Sequence, residues 1–261
     1  MLLLWKSTRL LTRAALNDRA KDIVLDKEAE KSRKVREMFG AIAGRYDFLN
    51  HLLSFGVDRY WRWQTVRRVP PQGTAPLLDL CTGTGDLALA YLRRMPSEGR
   101  VMAADFCHPM LTIGRKKGAR AGHGQRLTFV EADAQKLPFG DDQFQIVCVA
   151  FGLRNITNTD RGLREMVRVC QPGGRVAVLE FSMPRRQPVR GLYHWFFRRV
   201  LPKVGQAVSQ NSSDAYNYLP ESVGEFPDGE DLALRMQAAG LRSVQFWPLT
   251  CGIATLYVGV K

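Results

Sequence analysis

The sequence predicts one α/β domain built on a doubly wound, mostly parallel β-sheet. Along residues 71–261, short apolar segments that resemble strands alternate with segments of helical periodicity. A strand with one face in solvent alternates apolar and polar residues, and these segments do not. We therefore expect helices to cover both faces of the sheet. Because crossovers between parallel strands are right-handed, this alternation winds the helices onto both sides. A length of 261 residues suits one such domain with a helical attachment.

The predicted elements follow one another in a regular order. Five segments read as parallel strands: LLDLC, RVMAAD, RLTFVEA, FQIVCVAF and GGRVAVLEF. Three helical patterns connect them: DLALAYLRRM, PMLTIGRKK and DRGLREMVRVC. The chain closes with an amphipathic helix at 229–239 and two strand-like segments, RSVQFWP and IATLYVGV, joined by a short turn. A strand pair at the end of a parallel sheet predicts an antiparallel last strand.

Three regions lie outside this alternation. Residues 31–70 predict an N-terminal helical cap that ends at the boundary PPQGTAP, and residues 182–226 predict a lid-like insertion within the domain 71–261. Residues 1–30 form a basic extension, which fits a frayed start, a transit peptide or an interfacial helix. No apolar run approaches the roughly 20 residues that span a bilayer. We therefore expect a cytoplasmic protein, either soluble or held on the inner face of the membrane.

Charge and cysteine content narrow the classes of partner. The formal net charge of +13 predicts attraction to phosphate-rich surfaces, either nucleic acid or anionic lipid, and charge alone does not choose between them. The five cysteines are scattered, without C-x-x-C spacing, and lie mostly in apolar segments. This pattern predicts buried free thiols in a reducing compartment and no metal site.

The stretch LLDLCTGTGDLALAYL at 77–92 predicts a ligand-binding turn. A strand that ends near Asp79 leads through Gly83 and Gly85 into a helix that starts at about Asp86. Such a turn leaves the first helical N–H groups facing a ligand, with no Cβ in the way. The spacing favours a nucleotide-like ligand, although ordinary strand-to-helix turns also contain it.

Two further acidic residues point to an adenosine-bearing cofactor. Asp105 ends the second predicted strand, twenty residues beyond Gly85, where a carboxylate can accept both hydrogens of a ribose. Its alternative role is that of a helix N-cap. Asp133 follows the third strand, where a side chain can meet the adenine amino group. Ala88 replaces the third glycine of the dinucleotide pattern.

These acidic residues resemble those of a known class of enzymes. The order of these acids, followed by D-x-x-F-Q-I-V, resembles class I methyltransferases, which have a Rossmann-like fold and use S-adenosylmethionine. Residues 46–62 and 168–182, YDFLNHLLSFGVDRYWR and RVCQPGGRVAVLEFS, resemble the two signatures of the quinone-biosynthesis C-methyltransferases. AFGLRNITN at 150–158 resembles the same family's segment after the fourth strand. The resemblance covers roughly residues 35–261 and implies methylation of a polyprenyl benzoquinol or naphthoquinol ring.

The resemblance also implies which residues form the sites. The S-adenosylmethionine pocket would be lined by Asp79, Gly83, Thr84, Gly85, Asp105, Asp133, Ala134 and Ala150. Asn50, Arg154 and Asn155 would contact the substrate. Two positions depart from the family pattern. Leu49 stands where methionine is usual, and Ala150 stands where serine is frequent, which removes a hydroxyl contact.

The chemistry of the acceptor suggests the catalytic residues. A methyl sulfonium needs an electron-rich carbon, so the acceptor must be a reduced quinol, ideally ionised to the phenolate. A phenol titrates near ~10, and each unit by which the site lowers that pKa is worth about 1.36 kcal/mol. We expect Arg154 to stabilise the phenolate, with Tyr46 and Asp47 assisting proton removal. His51 and His194 are alternative bases, and a water-mediated transfer would need neither.

A membrane-derived substrate predicts contact with lipid. Residues 189–204 could place Trp195, Phe196 and Phe197 in an interface and Arg190, Arg198, Arg199 and Lys203 on lipid phosphates. An ordinary lid helix is the alternative. The sequence is compatible both with a homodimer and with a biosynthetic complex.

Two other functions share features with this sequence. A nucleic-acid methyltransferase would also be basic, but AFGLRN stands where the amino-methylating enzymes carry D/N-P-P-Y/F. No nucleic-acid partner is therefore expected. A non-catalytic scaffold that binds the cofactor stays open. YLPESVGEF and FLNHLLSFGVDRYWR resemble the menaquinone-making members, which favours demethylmenaquinol over the ubiquinone precursor, 2-polyprenyl-6-methoxy-1,4-benzoquinol.

Overall fold

Seven strands form one mixed sheet in the computed structural model, which describes residue 26, residues 28–196, residue 199 and residues 213–261. The strands are β1 (Leu77–Leu80), β2 (Val101–Asp105), β3 (Leu127–Glu131), β4 (Phe144–Ala150), β5 (Cys170–Phe181), β6 (Arg242–Leu249) and β7 (Ala254–Val260). The helices are α1 (28–42), α2 (Tyr46–Leu53), α3 (Val57–Arg68), α4 (Asp86–Leu92), α5 (His108–Arg120), α6 (Thr159–Val169), α7 (Val189–Trp195), α8 (Ser213–Glu225) and α9 (Glu230–Ala238).

The order of the strands confirms the predicted fold class. The sheet runs β3-β2-β1-β4-β5-β7-β6, and β1 to β5 are parallel. Strand β7 pairs antiparallel with both β5 and β6, as the closing strand pair predicted. The order reverses between β1 and β4. In doubly wound sheets ligands bind at the carboxyl ends of the strands at such a reversal.

The sheet core explains why the central strands are apolar without alternation. Every residue of β1 is buried, and β4 is buried from Phe144 to Val149. Helices cover both faces, so no face of these strands meets water. Charged residues in this region, such as Asp79 and Glu180, are therefore exceptions that need partners.

Glycines allow the turn after β1 to lie close to its neighbours. Gly83 and Gly85 both have left-handed backbones, with φ of +56° and +85°. Gly114 of α5 lies beneath the turn, where a Cβ would stand 2.5 Å from the ring of Phe129 and 3.3 Å from the carbonyl carbon of Thr84. The helix can approach the turn because this position has no side chain.

Helices α2 and α3 cap the carboxyl edge of the sheet. Helices α2 and α3 are separated by Gly56, whose φ of +75° breaks the helix. On α3, Trp61 is buried, and its indole Nε1 donates a hydrogen bond of 2.8 Å to the Thr250 hydroxyl. Its ring also packs against Phe151 and Phe181, with centroid distances of 5.6 and 5.9 Å. These contacts fix α3 to the ends of the sheet strands.

The predicted insertion contains α7 and α8. The described part of the chain leaves out residues 1–25, residue 27, Phe197, Arg198 and residues 200–212. The lipid contact expected of Lys203 therefore concerns a residue outside the described part, and the side chain of His194 is not described either. None of the helices that the structure describes is long and apolar enough to cross a bilayer. All five cysteines are free; Cys107, Cys148 and Cys170 are buried, whereas Cys251 is exposed.

Candidate active site

Two cavities meet at the carboxyl edge of the sheet. A narrow cleft runs past the glycine turn and the ends of β2 and β3, and its walls include Gly83, Asp105 and Asp133. A cavity of about 540 Å³, almost entirely apolar, lies beside it under α2, α3 and α7. Phe39, Tyr46 and Phe151 line both. A group held in the cleft could therefore meet a group held in the larger cavity at these three side chains.

Asp105 is fixed at the wall of the cleft. Its Oδ2 accepts a hydrogen bond of 2.8 Å from the N–H of Gly83, and its Oδ1 accepts one of 2.9 Å from the N–H of Cys107. Burial raises the pKa of the Asp105 carboxyl, against the effect of these backbone donors. Each oxygen keeps a further lone pair, so the carboxylate can still accept two hydroxyl hydrogens.

Asp79 faces into the turn. Its Oδ2 accepts hydrogen bonds from the Thr82 hydroxyl at 2.6 Å and from the N–H of Ala88 at 3.1 Å. Burial raises its pKa to about 7 despite these donors. The side chain thus holds the turn on the first residues of α4. With Thr84 and Ala150, it also borders a much smaller cavity beneath the cleft.

Two further predicted cofactor residues, Asp133 and Ala134, line the cleft, although Asp133 comes two residues after β3. Asn155, predicted to contact the substrate, also lines the cleft and does not line the larger cavity. The side-chain Oδ1 of Asn155 is buried without a hydrogen-bond partner among the described residues. A buried acceptor is costly unless a donor reaches it. An adenosine-bearing cofactor would supply hydroxyl and amino donors, so these residues fit the predicted group.

A network of ion pairs joins the cap to the glycine turn. The Lys117 ammonium of α5 contacts Asp47 of α2 at 2.7 Å, Asp86 of α4 at 2.6 Å and the hydroxyl of Thr84 at 3.1 Å. Thr84 in turn donates to Asp47 at 2.5 Å. Asp47, predicted as catalytic, is therefore engaged with the turn and lines neither of the two larger cavities.

Arg62 extends the network along α3. Its guanidinium contacts Asp58 on the same helix and lies 3.7 Å from Asp86. Burial would raise the pKa of Asp86, but the charges of Arg62 and Lys117 outweigh it and lower that pKa. His51, one of the alternative bases, lies 3.0 Å from Asp58 and lines neither larger cavity.

Arg154 forms a buried ion pair at the wall of the large cavity. Its Nη1 donates to both carboxylate oxygens of Glu180 at 2.9 Å and to the carbonyl of Phe151 at 2.7 Å. Its Nε has no partner among the described residues. Its guanidinium lies 5.2 Å from the centroid of Phe181. Burial raises the pKa of Glu180, and the charge of Arg154 opposes that rise.

The charge of Arg154 affects the pKa values of three tyrosines that line the cavity. Burial raises the pKa of Tyr46, Tyr193 and Tyr218, and in each case the positive charge of Arg154 acts in the opposite direction. Tyr46 also forms a hydrogen bond with Asn50, which lowers its pKa. A phenolic hydroxyl placed in this cavity therefore meets a charge that favours its ionised form.

Phe151 is held in a strained conformation where the cavities meet. Its φ of +59° is rare for a bulky residue, and its carbonyl accepts from Arg154. Its ring lies 4.5 Å from that of Phe181. The contacts to Arg154, Phe181 and Trp61 hold the aromatic ring between the cleft and the large cavity.

Several residues of the site escape the sequence analysis. Glu180 carried a usable signal, because a charged residue near the end of the buried strand β5 needs a buried partner. Lys117 and Arg62 carry no comparable signal, because each is one of many cations on a helix. Tyr193 and Tyr218 lie far apart in sequence, within the insertion, and only the fold brings both near Arg154.

The doubly wound sheet, the glycine turn and the acid at the end of β2 define a class I S-adenosylmethionine-dependent methyltransferase. Solved structures share this fold. They include an S-adenosylmethionine-dependent methyltransferase from Aquifex aeolicus, with a TM-score of 0.58 and 16% identity over 78% of this chain and 92% of that chain. Another is a Haemonchus contortus phosphoethanolamine N-methyltransferase 2 in complex with S-adenosylmethionine, with a TM-score of 0.57 and 13% identity over 77% of this chain and 52% of that chain.

The chain belongs to the ubiE/COQ5 methyltransferase family, which it matches over residues 27–261. It is 44% identical to a ubiquinone/menaquinone biosynthesis C-methyltransferase of Geotalea daltonii, over 90% of this chain and 99% of that protein. It is 42% identical to a demethylmenaquinone methyltransferase of Porphyromonas gingivalis, over 90% of this chain and 96% of that protein. The chain is thus an S-adenosylmethionine-dependent C-methyltransferase of quinone biosynthesis, which confirms the resemblance.

We expect Asp105→Asn to weaken S-adenosylmethionine binding by about 2 to 4 kcal/mol, because the ribose would lose its charged acceptor. Isothermal titration calorimetry measures the affinity, and thermal unfolding reports separately on the bonds to Gly83 and Cys107. Glu131→Gln is the matched control, since Glu131 ends the neighbouring strand and pairs with His108 outside the cleft. Equal affinity in the wild type and Asp105→Asn would contradict the assignment.

We expect Lys117→Met to loosen α2 from the turn. The substitution leaves Asp47 without its cation, so the opening free energy of α2 should fall by about 2 kcal/mol. Hydrogen exchange should become faster in α2 and stay unchanged in β4. Lys116→Met, at an exposed neighbour on the same helix, is the control, and Lys117→Arg should restore protection. Unchanged exchange in Lys117→Met would show that the network does not hold the cap.

Proposed function

We propose that this protein methylates the reduced ring of a polyprenyl naphthoquinol, converting demethylmenaquinol to menaquinol, and that it takes this substrate from a membrane surface. The observation that carries the proposal is the apolar cavity beside the cofactor cleft, with the buried Arg154 at its wall. The methylation of the ubiquinone precursor 2-polyprenyl-6-methoxy-1,4-benzoquinol is the alternative. The 42% identity to the Porphyromonas gingivalis protein supports the naphthoquinol.

S-adenosylmethionine, when bound, supplies an electrophilic methyl group. Asp105 would hold its ribose hydroxyls, Asp133, Ala134 and Asn155 would border its adenine, and the turn at Gly83 would leave room for its backbone contacts. Asp79, Thr84, Gly85 and Ala150 would shape the turn and the floor below it. The apolar walls of the larger cavity keep bulk water from the reacting carbon.

Arg154 would favour ionisation of the quinol hydroxyl. The guanidinium already opposes the burial-driven rise in pKa of three tyrosine hydroxyls, and a quinol hydroxyl is chemically the same group. Glu180 moderates this effect, since it takes up part of the positive charge. The unpartnered Nε of Arg154 offers a donor to the ring oxygens.

Tyr46 would act as a hydrogen-bond donor more than as a base. Its pKa is raised, so it stays protonated at neutral pH and can donate to the developing phenolate. Asn50 would hold the tyrosine hydroxyl in place. Asp47 would contribute through position, because its bonds to Lys117 and Thr84 set the location of α2 and therefore of Tyr46.

The identity of the acceptor can be tested in cells. Deletion of the gene should cause demethylmenaquinone to accumulate, measured by mass spectrometry of extracted quinones, and the wild-type gene should restore menaquinone. An inactive Asp105→Ala gene is the matched control. Accumulation of the demethylated ubiquinone precursor alone would establish the benzoquinol instead, and an unchanged quinone profile would overturn both.

The role of Arg154 requires a double substitution. Arg154→Met alone leaves Glu180 buried without a partner, which costs about 3 to 5 kcal/mol of stability. We expect Arg154→Met with Glu180→Gln to fold and to lower kcat by about 10²-fold, with partial recovery at higher pH. Without the cation the quinol pKa rises, so the rate profile moves toward alkaline pH.

The single variant Glu180→Gln serves as the matched control. It keeps the guanidinium and removes the opposing charge, so the quinol pKa should fall and the profile should move toward acidic pH. Rates are measured anaerobically with a reduced short-chain acceptor across mildly acidic to alkaline pH. Identical profiles in both variants and the wild type would remove Arg154 from the chemistry.

A further inference from the structure

The outer face of α2 carries apolar side chains in contact with solvent. Phe48 and Leu52 are 62% and 45% exposed, and Phe55 in the following turn is 82% exposed. Phe48 and Leu52 are four residues apart and lie on one side of the helix. Leu49 and Leu53, about 100° round the helix from them, line the large cavity. The apolar surface of α2 therefore extends from the cavity wall onto side chains that contact solvent.

The exposed stripe continues to the opening of the cavity. Phe55, Leu192 and Trp195 line the cavity and are also largely exposed, so they stand at its rim. We call Phe48, Leu52, Phe55, Leu192 and Trp195 the docking face. Contiguous exposed apolar groups at the mouth of a site mark an interaction surface.

The charges around the docking face have one sign. Helix α7 contains no acidic residue, and its Arg190 is exposed, as is Arg59 at the start of α3. The two acidic residues of α2 and α3 are neutralised, because Asp47 binds Lys117 and Asp58 is buried against Arg62. A surface of apolar side chains with cations and, on these three helices, no free anion matches the headgroups of an anionic bilayer.

A second copy of the chain fits this face less well. Two copies related by a two-fold axis would bring the same cations together across their contact. Like charges at an interface oppose association. Anionic lipid instead supplies the opposite charge and an apolar layer at the same place.

We propose that the docking face lies in the headgroup layer of an anionic bilayer, with the opening of the cavity directed at the acyl chains. The inference rests on the proposed function, because a polyprenyl substrate gives the cavity a reason to open toward lipid. Arg59 and Arg190 then contact lipid phosphates, while α2 separates the bilayer from the reacting ring.

Vesicle flotation with the full chain tests the surface. Phosphatidylcholine vesicles that contain phosphatidylglycerol are the probe, and vesicles of phosphatidylcholine alone are the reference. We expect Phe48→Ser with Leu52→Ser to weaken binding to the anionic vesicles by about tenfold or more. Leu234→Ser is the matched control, since Leu234 is 54% exposed on α9 and lines neither cavity. Added salt should weaken wild-type binding to the anionic vesicles.

Activity with two substrates separates this proposal from the proposed function. The double variant should lose methylation of a long-chain quinol embedded in vesicles and keep methylation of a water-soluble short-chain quinol, since neither residue lines the cavity. Wild-type vesicle binding by the double variant would overturn the docking face. Loss of a dimer in sedimentation, with vesicle binding unchanged, would also overturn it. Lost vesicle binding by the double variant, with no quinol methylated even by the wild type, would support the face and reject the proposed function.

Discussion

The arrangement of the site depends on the contacts of the Lys117 ammonium. It binds carboxylates from α2 and α4 and the hydroxyl of Thr84 in the glycine turn. The turn lines the cleft proposed for the cofactor, whereas α2 lines the cavity proposed for the acceptor. One cation thus positions both halves of the site against each other, and Arg62 extends the same connection to α3.

Burial decides how strongly the few charges in the site act. The cavity is almost entirely apolar, so water screens its charges little, and the charge of Arg154 acts on nearby hydroxyls. The same environment makes an unpaired charge costly, and Glu180 keeps the arginine in place. The ion pair with Glu180 therefore has two results: it holds the guanidinium in place, and it reduces the effect of the positive charge on nearby groups.

The sheet and the cleft at its edge can be predicted from the sequence better than the larger cavity. Gly83, Asp105 and Asp133 lie at strand ends, and because parallel strands end at one edge, their proximity follows from the topology alone. The acceptor cavity joins α2 and α3, which precede the sheet in sequence, to α7 and α8, which follow its first five strands. No periodicity indicates that Lys117 meets Asp47, or that Tyr218 lies near Arg154, because such contacts depend on how the helices pack.

The buried pair of Arg154 and Glu180 also constrains how this protein can diverge. Replacement of either residue alone passes through a state with one uncompensated charge in an apolar cavity. Exchange of both for a neutral pair avoids that state but requires two changes at positions 26 residues apart. Related proteins that use a different acceptor are therefore expected either to keep both residues or to change both. Substitutions at the two positions should occur together.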